Sequence, residues 1–207
     1  MSEIWFAADT HFGHRNIIRS EAEARPFSTI EQHDEELVRR WNSVVSPDDI
    51  VYHLGDVAFG LENIATCGRL NGRLRLVMGN HDNHPVQAYL EYFESVHALV
   101  SFKGQFLLSH APLHPTELVR NKINVHGHLH SEMLTDARYV CVSLEHTGLA
   151  PTNRDQILAR AAAASQRMEE ERMARRHGYE PARRPWRVKV GLETRRPAAA
   201  GLIIPDA

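Results

Sequence analysis

Residues 74–82 read Leu74-Arg75-Leu76-Val77-Met78-Gly79-Asn80-His81-Asp82. The first five form a short, mostly apolar run of the kind that becomes a buried strand, and Gly79 allows a turn directly after it. Asn80, His81 and Asp82 then offer three side chains that can bind a metal ion. Asn and Asp are also common turn residues, so this stretch alone does not distinguish a turn from a metal site.

The same pattern recurs at four more places along the chain. In each, a short apolar run ends in Asp or His, at Asp9-Thr10-His11, Gly55-Asp56, His110 and His126-Gly127-His128-Leu129-His130. In layered α/β proteins, functional sites are assembled at the C-terminal ends of strands. The repeated pattern therefore predicts an α/β protein in which these side chains meet at one edge of a sheet.

Taken in chain order, the motifs D-x-H, G-D, G-N-H-D, a lone His and G-H-x-H resemble those of the calcineurin-like metallophosphoesterases. The resemblance covers roughly residues 4–150, and all of these motifs are intact. The longer opening motif is similar to that of small bacterial and phage members and reads Asp9-Thr10-His11-Phe12-Gly13-His14. The resemblance implies the fold of that family, a two-sheet β-sandwich flanked by α-helices, with the active site at the C-terminal ends of the strands.

The resemblance also implies a pair of divalent metal ions. Metal one would be bound by Asp9, His11, Asp56 and His130. Metal two would be bound by Asp56, Asn80, His110 and His128, so that Asp56 bridges the pair. Carboxylate, imidazole and amide ligands together suit Mn, Fe, Zn or Ni better than Mg, and of these we expect Mn.

The reaction that the resemblance implies is hydrolysis of a phosphomonoester or phosphodiester by in-line attack of a metal-bridging hydroxide. Two cations about 3.5–4 Å apart lower the pKa of the bridging water and bind both the attacking and the leaving oxygen. His81 would act as general acid on the leaving-group oxygen, or would stabilise the developing charge, and Asp82 would orient the His81 ring.

Several of these residues also have simpler explanations. Asp9 and His11 could be a turn pair at the end of a strand, and His110 could be a core histidine with a satisfied hydrogen bond. Such explanations must hold at every motif at once, which favours the metal site. We expect His53 and His126, which precede motif positions, to pack behind the ligands rather than to bind metal.

The segment after the first motif supplies candidate substrate contacts. His14 follows His11 by three residues and would lie at the mouth of the site, where it either touches the substrate or supports a ligand. Arg15 and Asn16 come next and are candidate phosphate contacts.

Length and composition restrict the class of protein. The chain has 207 residues, enough for one domain with a sizeable core, and the core is predicted over residues 1–150. Its two cysteines, Cys67 and Cys141, form neither a disulfide framework nor a thiolate metal site. We find no apolar run long enough to cross a membrane and no signal-like N-terminus, and we expect a reduced, cytoplasmic protein.

Periodicity and turn signals predict the main helices and strands. A capping-box pattern at residues 28–31 should begin a helix whose core positions are Ile30, Leu37, Val38 and Trp41. Pro85 should lie in the first turn of a helix that carries Val86, Tyr89, Leu90 and Phe93. Strands are predicted over Val96–Phe102 and Gln105–Ser109, and further strands over Ile123–Val125 and Tyr139–Ser143.

The C-terminal part differs in composition from the rest. A helix is predicted over residues 151–178, packed on the core or extending from it, with a sparse apolar stripe of Ile157, Leu158, Ala161, Met168 and Met173. Residues 179–207 are basic and rich in proline, and we expect a flexible tail.

Three functions are compatible with these features. The first is a phosphoesterase for a phosphorylated small molecule or nucleotide. The second is a nuclease or nucleic-acid end phosphatase that uses the basic tail, and the third is a non-catalytic interaction module. Intact ligand positions count against the third, and the absence of interleaved basic and aromatic residues in the catalytic region favours the first over the second.

Overall fold

A computed structural model describes residues 2–120, 122–176 and 187–189. The strands are β1 (Ile4–Ala7), β2 (Ile50–His53), β3 (Arg73–Val77), β4 (Ser95–His97), β5 (Val100–Phe102), β6 (Phe106–Ser109), β7 (Ile123–His126), β8 (Glu132–Leu134), β9 (Tyr139–Cys141), β10 (Thr152–Asn153) and β11 (Arg187–Lys189). The α-helices are α1 (Ile17–Ser20), α2 (Ile30–Val44), α3 (Val86–Leu90) and α4 (Arg154–Arg176). Short 3₁₀ helices lie at Leu61–Arg69, Pro115–Glu117 and Leu144–His146.

The strands form two main sheets, which confirms the predicted two-sheet α/β architecture. The first sheet has the order β10-β1-β2-β3-β4, and the second has the order β5-β6-β7-β9. Strands β1 to β4 run parallel to one another, as do β6, β7 and β9, whereas β10 and β5 are antiparallel edge strands. Because the parallel strands of each sheet share a direction, their carboxyl ends lie at one edge.

Alternation along the strands divides the interior into two cores. Trp5 and Ala7 of β1 pack with α2 and the 3₁₀ helix at Leu61–Arg69, whereas Phe6 faces the second sheet. Strand side chains point alternately to opposite faces, so the first sheet is covered on both sides. The core between the sheets is completed by Ile157 of α4, which is fully buried.

Helix α2 begins where the sequence predicts a helix, but its cap is one residue later. The Thr29 side chain, rather than that of Ser28, accepts a hydrogen bond from the Gln32 backbone amide at 3.2 Å. The predicted core positions Leu37 and Trp41 are each 2% exposed. The amphipathic pattern therefore predicted this helix and its buried face correctly.

The predicted strand over Val96–Phe102 is wrong, because the structure divides it into β4 and β5. Strand β4 pairs with β3 in the first sheet, and β5 pairs with β6 in the second. The chain crosses between the sheets near Leu99, whose side chain is 49% exposed. A continuous β-type pattern does not reveal such a crossing, because both halves have the same propensity.

Helix α3 is shorter than its apolar pattern suggests. Pro85 precedes it as the N-cap residue, and the helix ends at Leu90. Tyr89 and Phe93 are buried, but Val86 and Leu90 are exposed. The helix therefore contacts the core through a narrow face.

The C-terminal helix α4 is present, with Asn153 at its start. The Asn153 side chain accepts a hydrogen bond from the Gln156 backbone amide at 3.0 Å. Ile157 and Ala161 are buried, whereas Met168 and Met173 are exposed, so only the first half of the predicted stripe packs on the core. Within the described residues, no helix is both long and apolar enough to cross a membrane.

Most of the predicted tail, residues 179–207, lies outside the described residues. The exception is β11, which pairs antiparallel with β8. The predicted flexibility of the tail, and the predicted boundary at residue 150, stay predictions. Strand β10, beyond that boundary, adds an edge to the first sheet beside β1.

The carboxyl ends of the two sheets are joined directly. Ala8 and Ser143 form a parallel bridge, and the Leu144 backbone amide donates to the Ala8 carbonyl at 3.3 Å. Loops that follow β1, β2, β3, β6 and β7 therefore meet at one edge of the sandwich, where the sequence motifs lie.

Candidate metal centre

Asp9 follows β1 and is fully buried. Its Oδ2 atom accepts hydrogen bonds from the Ser143 hydroxyl at 2.6 Å and from the His128 backbone amide at 2.9 Å. Its Oδ1 atom is buried and has no hydrogen-bond partner among the described residues. A buried carboxylate oxygen without a partner is costly unless a cation binds it, so one oxygen of Asp9 is oriented and the other is available to a metal.

His11 and His130 complete a first cluster with Asp9. Ligand atoms of these three side chains all lie within 4.8 Å of one another. The His11 Nε2 atom is 3.9 Å from Asp9 Oδ1, and it too is buried without a hydrogen-bond partner in the described part of the chain. The two unpartnered atoms face each other, which fits a cation between them.

Asp56 lies between this cluster and a second one. Its Oδ2 atom is 3.5 Å from His11 Nε2 and 3.4 Å from His110 Nε2. Its Oδ1 atom accepts a hydrogen bond from the His81 backbone amide at 2.9 Å. The carboxylate is thus held by one oxygen and directs the other at both clusters.

The second cluster consists of Asp56, His110 and His128, with Asn80 beside it. The His110 Nε2 atom is 2.9 Å from Asn80 Oδ1 and 3.1 Å from His128 Nδ1. The other ring nitrogen of His110 donates to the Leu54 carbonyl at 2.8 Å in the neutral tautomer, which leaves Nε2 as a lone-pair donor. Three atoms that prefer a cation therefore converge on one point.

The electrostatics of the centre also favour bound cations. Burial lowers the pKa of His110, but its hydrogen bond with Asp56 and the charges of Asp9 and Asp56 outweigh burial and raise the pKa to about 9. Burial likewise lowers the pKa of His130, and the Glu145 hydrogen bond and the Asp9 charge raise it to about 9. Buried carboxylates here attract protons onto the histidines. A divalent cation would replace those protons, because histidine ligands bind metals in the neutral form.

The backbone is strained at the same residues. Five of the predicted ligands have positive φ angles, namely Asp9 at 60°, His11 at 50°, Asp56 at 56°, His128 at 70° and His130 at 47°. A non-glycine residue in this region costs about 1–3 kcal/mol, and such residues persist where the surrounding structure fixes them. Hydrogen bonds from Asp9 N to Gly55 O (2.9 Å) and from His11 N to Asp56 O (3.0 Å) fix the loops here. The strained backbone positions therefore coincide with five of the predicted ligands.

Two motif glycines allow the carboxylates of two predicted ligands, Asp56 and Asp9, to approach the backbone closely. A Cβ atom at Gly79 would lie 2.2 Å from Asp56 Oδ1, and one at Gly127 would lie 2.5 Å from Asp9 Oδ2. These distances are too short for any side chain. The glycines of the G-N-H-D and G-H-x-H motifs are therefore required by the two carboxylates.

Asp82 has a different role from the one expected. Its Oδ2 atom accepts from the backbone amides of Asp56 and Gly79, both at 2.8 Å, and its Oδ1 atom accepts from Val57 N at 2.9 Å. The carboxylate is buried and turned toward these amides rather than toward the His81 ring. We therefore correct the prediction that Asp82 orients His81: it holds the G-D and G-N-H-D loops together.

The His81 side chain is exposed beside the first cluster. Its ring centroid lies 5.6 Å from that of His11 and 6.1 Å from that of Phe59. This position suits a proton donor at the edge of the centre rather than a ligand inside it. The role of general acid stays a prediction.

Of the candidate substrate contacts, only His14 touches the centre. Its Nδ1 atom is 3.2 Å from His11 Nδ1, and its ring stacks on Phe59 with centroids 4.3 Å apart. Arg15 and Asn16 are exposed at the start of α1. Their predicted phosphate contacts are not tested by these positions.

The histidines that we expected to pack behind the ligands are buried. His53 Nε2 lies 2.9 Å from the Thr10 hydroxyl, and its Nδ1 accepts from Gly55 N at 3.2 Å. His126 Nδ1 lies 2.8 Å from the Gly127 carbonyl oxygen. Both contact the loops that carry predicted ligands.

Sequence reasoning missed a set of residues behind the first cluster. Arg25 is fully buried and donates from Nε to Glu145 Oε1 at 2.7 Å and from its terminal nitrogens to the carbonyls of Thr10 and Asp9, at 3.2 and 2.5 Å. His130 Nδ1 lies 3.0 Å from the same Glu145 oxygen. Ser143 and Phe59 were also missed, and no sequence motif marks any of them.

Comparison with known proteins finds relatives that match most of the chain. The chain is 32% identical over 171 residues to the uncharacterized protein MJ1445 of Methanocaldococcus jannaschii, covering 76% of this chain and 90% of that protein. It is 33% identical over 190 residues to the gene 66 protein of Mycobacterium phage L5, covering 72% of this chain and 87% of that protein. No protein-family model matches the chain.

A solved structure has the same fold. The crystal structure of the protein of unknown function AQ665 from Aquifex aeolicus is 29% identical to this chain, with a TM-score of 0.61. The match covers 76% of this chain and 98% of the Aquifex protein. The chain therefore belongs to the protein family that includes MJ1445 and the phage L5 gene 66 protein.

Proposed function

We propose that this protein is a metal-dependent phosphoesterase that hydrolyses a phosphomonoester or phosphodiester of a small molecule or nucleotide. The observation that carries the proposal is the position of Asp56, whose Oδ2 atom lies within 3.5 Å of histidine nitrogens in both clusters. A single carboxylate shared by two ligand clusters is the arrangement of a dinuclear hydrolytic centre. The motif resemblance to the calcineurin-like metallophosphoesterases supports the same conclusion.

The ligands fit a pair of divalent transition-metal ions, with Mn favoured. Mixed carboxylate, imidazole and amide donors suit Mn, Fe, Zn or Ni. When bound, such a pair supplies an activated water and neutralises charge on the phosphoryl oxygens. Asp9, His11 and His130 would hold one ion, and Asn80, His110 and His128 the other, with Asp56 shared.

The protein's own groups prepare the centre for this chemistry. Ser143 and the His128 amide fix the orientation of Asp9, and the His81 amide fixes that of Asp56. Fixed donors and acceptors need no rearrangement during the reaction, which is the main advantage of a preorganised site. The exposed His81 imidazole would then donate a proton to the leaving oxygen.

An alternative, hydrolysis of nucleic acid with help from the basic tail, makes a different prediction about substrate size. His81, His128 and Asn80 are exposed, so a polymer could reach these residues as well as a small ester.

The test is a screen of metals against substrates. The purified protein, loaded with Mn, Ni, Zn or Mg, would be assayed with a nitrophenyl monoester, a nitrophenyl diester, cyclic nucleotides and short oligonucleotides. We expect metal-dependent hydrolysis of a small ester, and none by Asp56→Asn under the same conditions. Hydrolysis of oligonucleotides alone would support the nuclease alternative. Failure with every metal and ester, despite stoichiometric metal binding, would refute the proposal.

A further inference from the structure

We infer that Phe59 and His14 form a stacking surface, here called the aromatic shelf, that binds a planar aromatic group on the ester. The inference rests on the proposed function, because it concerns the substrate class of the same site. It starts from Phe59, a large apolar side chain that is 49% exposed directly beside the predicted centre.

The shelf is an ordered aromatic pair. The Phe59 and His14 rings are stacked with centroids 4.3 Å apart and an interplanar angle of 11°. His14 stacks on one face of Phe59, and Phe59 is still 49% exposed, so its other face and its edge are the places left for a second ring. Those are the surfaces on which another planar ring stacks or packs edge to face.

The shelf is close to the groups that would act on the ester. The His81 ring lies 6.1 Å from Phe59 and 6.3 Å from His14, measured between centroids. His14 also reaches the first cluster, with its Nδ1 atom 3.2 Å from His11 Nδ1. A group attached to the leaving oxygen, which His81 would protonate, therefore lies within reach of the shelf.

The backbone that carries Phe59 is fixed before any ligand binds. The Phe59 amide donates to the Phe12 carbonyl at 2.8 Å, and the Asn63 side chain donates to the Phe59 carbonyl at 2.7 Å. The preceding residue, Ala58, forms a bridge with Phe12. A surface that is already ordered loses little conformational entropy when a ligand binds to it.

Single exposed apolar residues are common on protein surfaces, so the exposure of Phe59 is significant only because of where the residue lies. Leu99 is exposed to the same extent, 49%, but lies at the crossing between β4 and β5. Phe59 differs because its ring is stacked on a histidine that contacts a predicted ligand. The ligand that matches it is planar and aromatic, such as a benzyl group, an aryl group or a nucleobase.

The test compares two ligands that share a phosphonate and a six-membered carbon ring, and that differ in whether this ring is flat and aromatic. Benzylphosphonate and cyclohexylmethylphosphonate carry the same phosphonate and a ring of the same size, and neither is hydrolysed. Calorimetry on the Mn-loaded protein should show a preference for benzylphosphonate of about 2- to 13-fold, the range of an aromatic pair. Phe59→Ala and Phe59→Leu should lose that preference, whereas Phe59→Tyr should keep it.

Controls separate the shelf from the metal centre. Leu99→Ala should keep the preference, and inorganic phosphate should bind equally to wild type and Phe59→Ala. An unchanged preference in Phe59→Ala, or none in the wild type, would overturn the inference. A preference without turnover of any ester would support the shelf and refute the proposed function. Turnover of an ester without a preference for benzylphosphonate would support the proposed function and refute the shelf.

Discussion

Arg25 and Glu145, 120 residues apart in the sequence, form a fully buried ion pair behind the first ligand cluster, with Nε and Oε1 2.7 Å apart. The same Glu145 oxygen lies 3.0 Å from His130 Nδ1, and Arg25 also donates to the carbonyl of Asp9. Burial alone would raise the pKa of Glu145. The Arg25 charge and the His130 hydrogen bond outweigh burial, so the pKa of Glu145 lies well below its usual range and the carboxyl is ionised. The pair therefore orients two predicted ligands, Asp9 and His130, that come from distant segments.

The first prediction is that Glu145→Gln weakens both metal binding and the fold. Loss of a group that orients a ligand typically costs about 10–100-fold in metal affinity. Breaking a buried ion pair costs about 3–5 kcal/mol of unfolding free energy, because Arg25 keeps an uncompensated charge. Metal titration by calorimetry and denaturant unfolding of the metal-free protein measure the two effects.

A surface pair provides the control for Glu145. Glu94 pairs with Arg73 at 2.6 Å, but both side chains are exposed. Glu94→Gln should therefore leave metal affinity unchanged and the unfolding free energy nearly so, because solvent screens exposed pairs. Metal affinity of the wild-type magnitude in Glu145→Gln would contradict the orienting role.

The pair of Arg25 and Glu145 also shows which contacts a sequence pattern does not predict. Asp9, Asp56 and His110 could be placed at strand ends because a local pattern, an apolar run followed by a ligand residue, repeats along the chain. The pairing of Arg25 with Glu145 depends on a contact across 120 residues, and charged residues are expected at the surface. Only the tertiary structure identifies a buried arginine.

The same distinction explains the error at Asp82 and the loop strain. Spacing placed Asp82 beside His81, but only the fold shows that the carboxylate is turned toward three backbone amides. Positive φ angles at residues such as His11 and His130 are likewise set by neighbouring loops, not by local propensity. Local patterns predict which residues gather, whereas long-range contacts decide how each is held.

The second prediction concerns pH. Burial lowers the pKa of His53 from 6.5 to about 3, so below pH 6.5 the unfolded chain takes up a proton that the folded protein does not. Stability contributed by the neutral ring is therefore complete above pH 6.5 and is lost as the pH falls toward 3, at about 1.4 kcal/mol per pH unit.

Comparison of wild type with His53→Gln isolates the pH-dependent stability that the neutral His53 ring contributes. Between pH 7 and pH 5 the unfolding free energy of the wild type should fall by about 2 kcal/mol more than that of the variant. Parallel pH profiles for wild type and His53→Gln would contradict the buried neutral state.

The third prediction tests the shared carboxylate. Asp56→Asn should weaken binding of both metal ions and abolish hydrolysis, because the Oδ2 atom of Asp56 faces His11 and His110 alike. The fold should survive, since an amide can still accept the hydrogen bond from the His81 backbone. Metal analysis and circular dichroism give the two readouts. Two full equivalents of metal in an active Asp56→Asn protein would contradict the assignment.

The fourth prediction separates His81 from the ligand histidines. Proton donation to a leaving oxygen is typically worth about 10²–10⁴-fold in rate, and it matters most when the leaving group is an alkoxide. A nitrophenolate leaves without much protonation. His81→Ala should therefore keep both metals, lose most of its activity toward alkyl or nucleoside esters, and lose less toward nitrophenyl esters.

His128 supplies the contrast, because its Nδ1 atom lies 3.1 Å from His110 Nε2 inside the second cluster, whereas His81 is outside both clusters. His128→Ala should lose one metal equivalent and fail on every ester. Metal stoichiometry and the rates for one activated and one unactivated ester, measured on both variants, distinguish a ligand from a proton donor. If His81→Ala loses a metal, His81 is a ligand. If it keeps both metals but slows the two esters equally, His81 stabilises charge, and proton donation to the leaving oxygen is excluded.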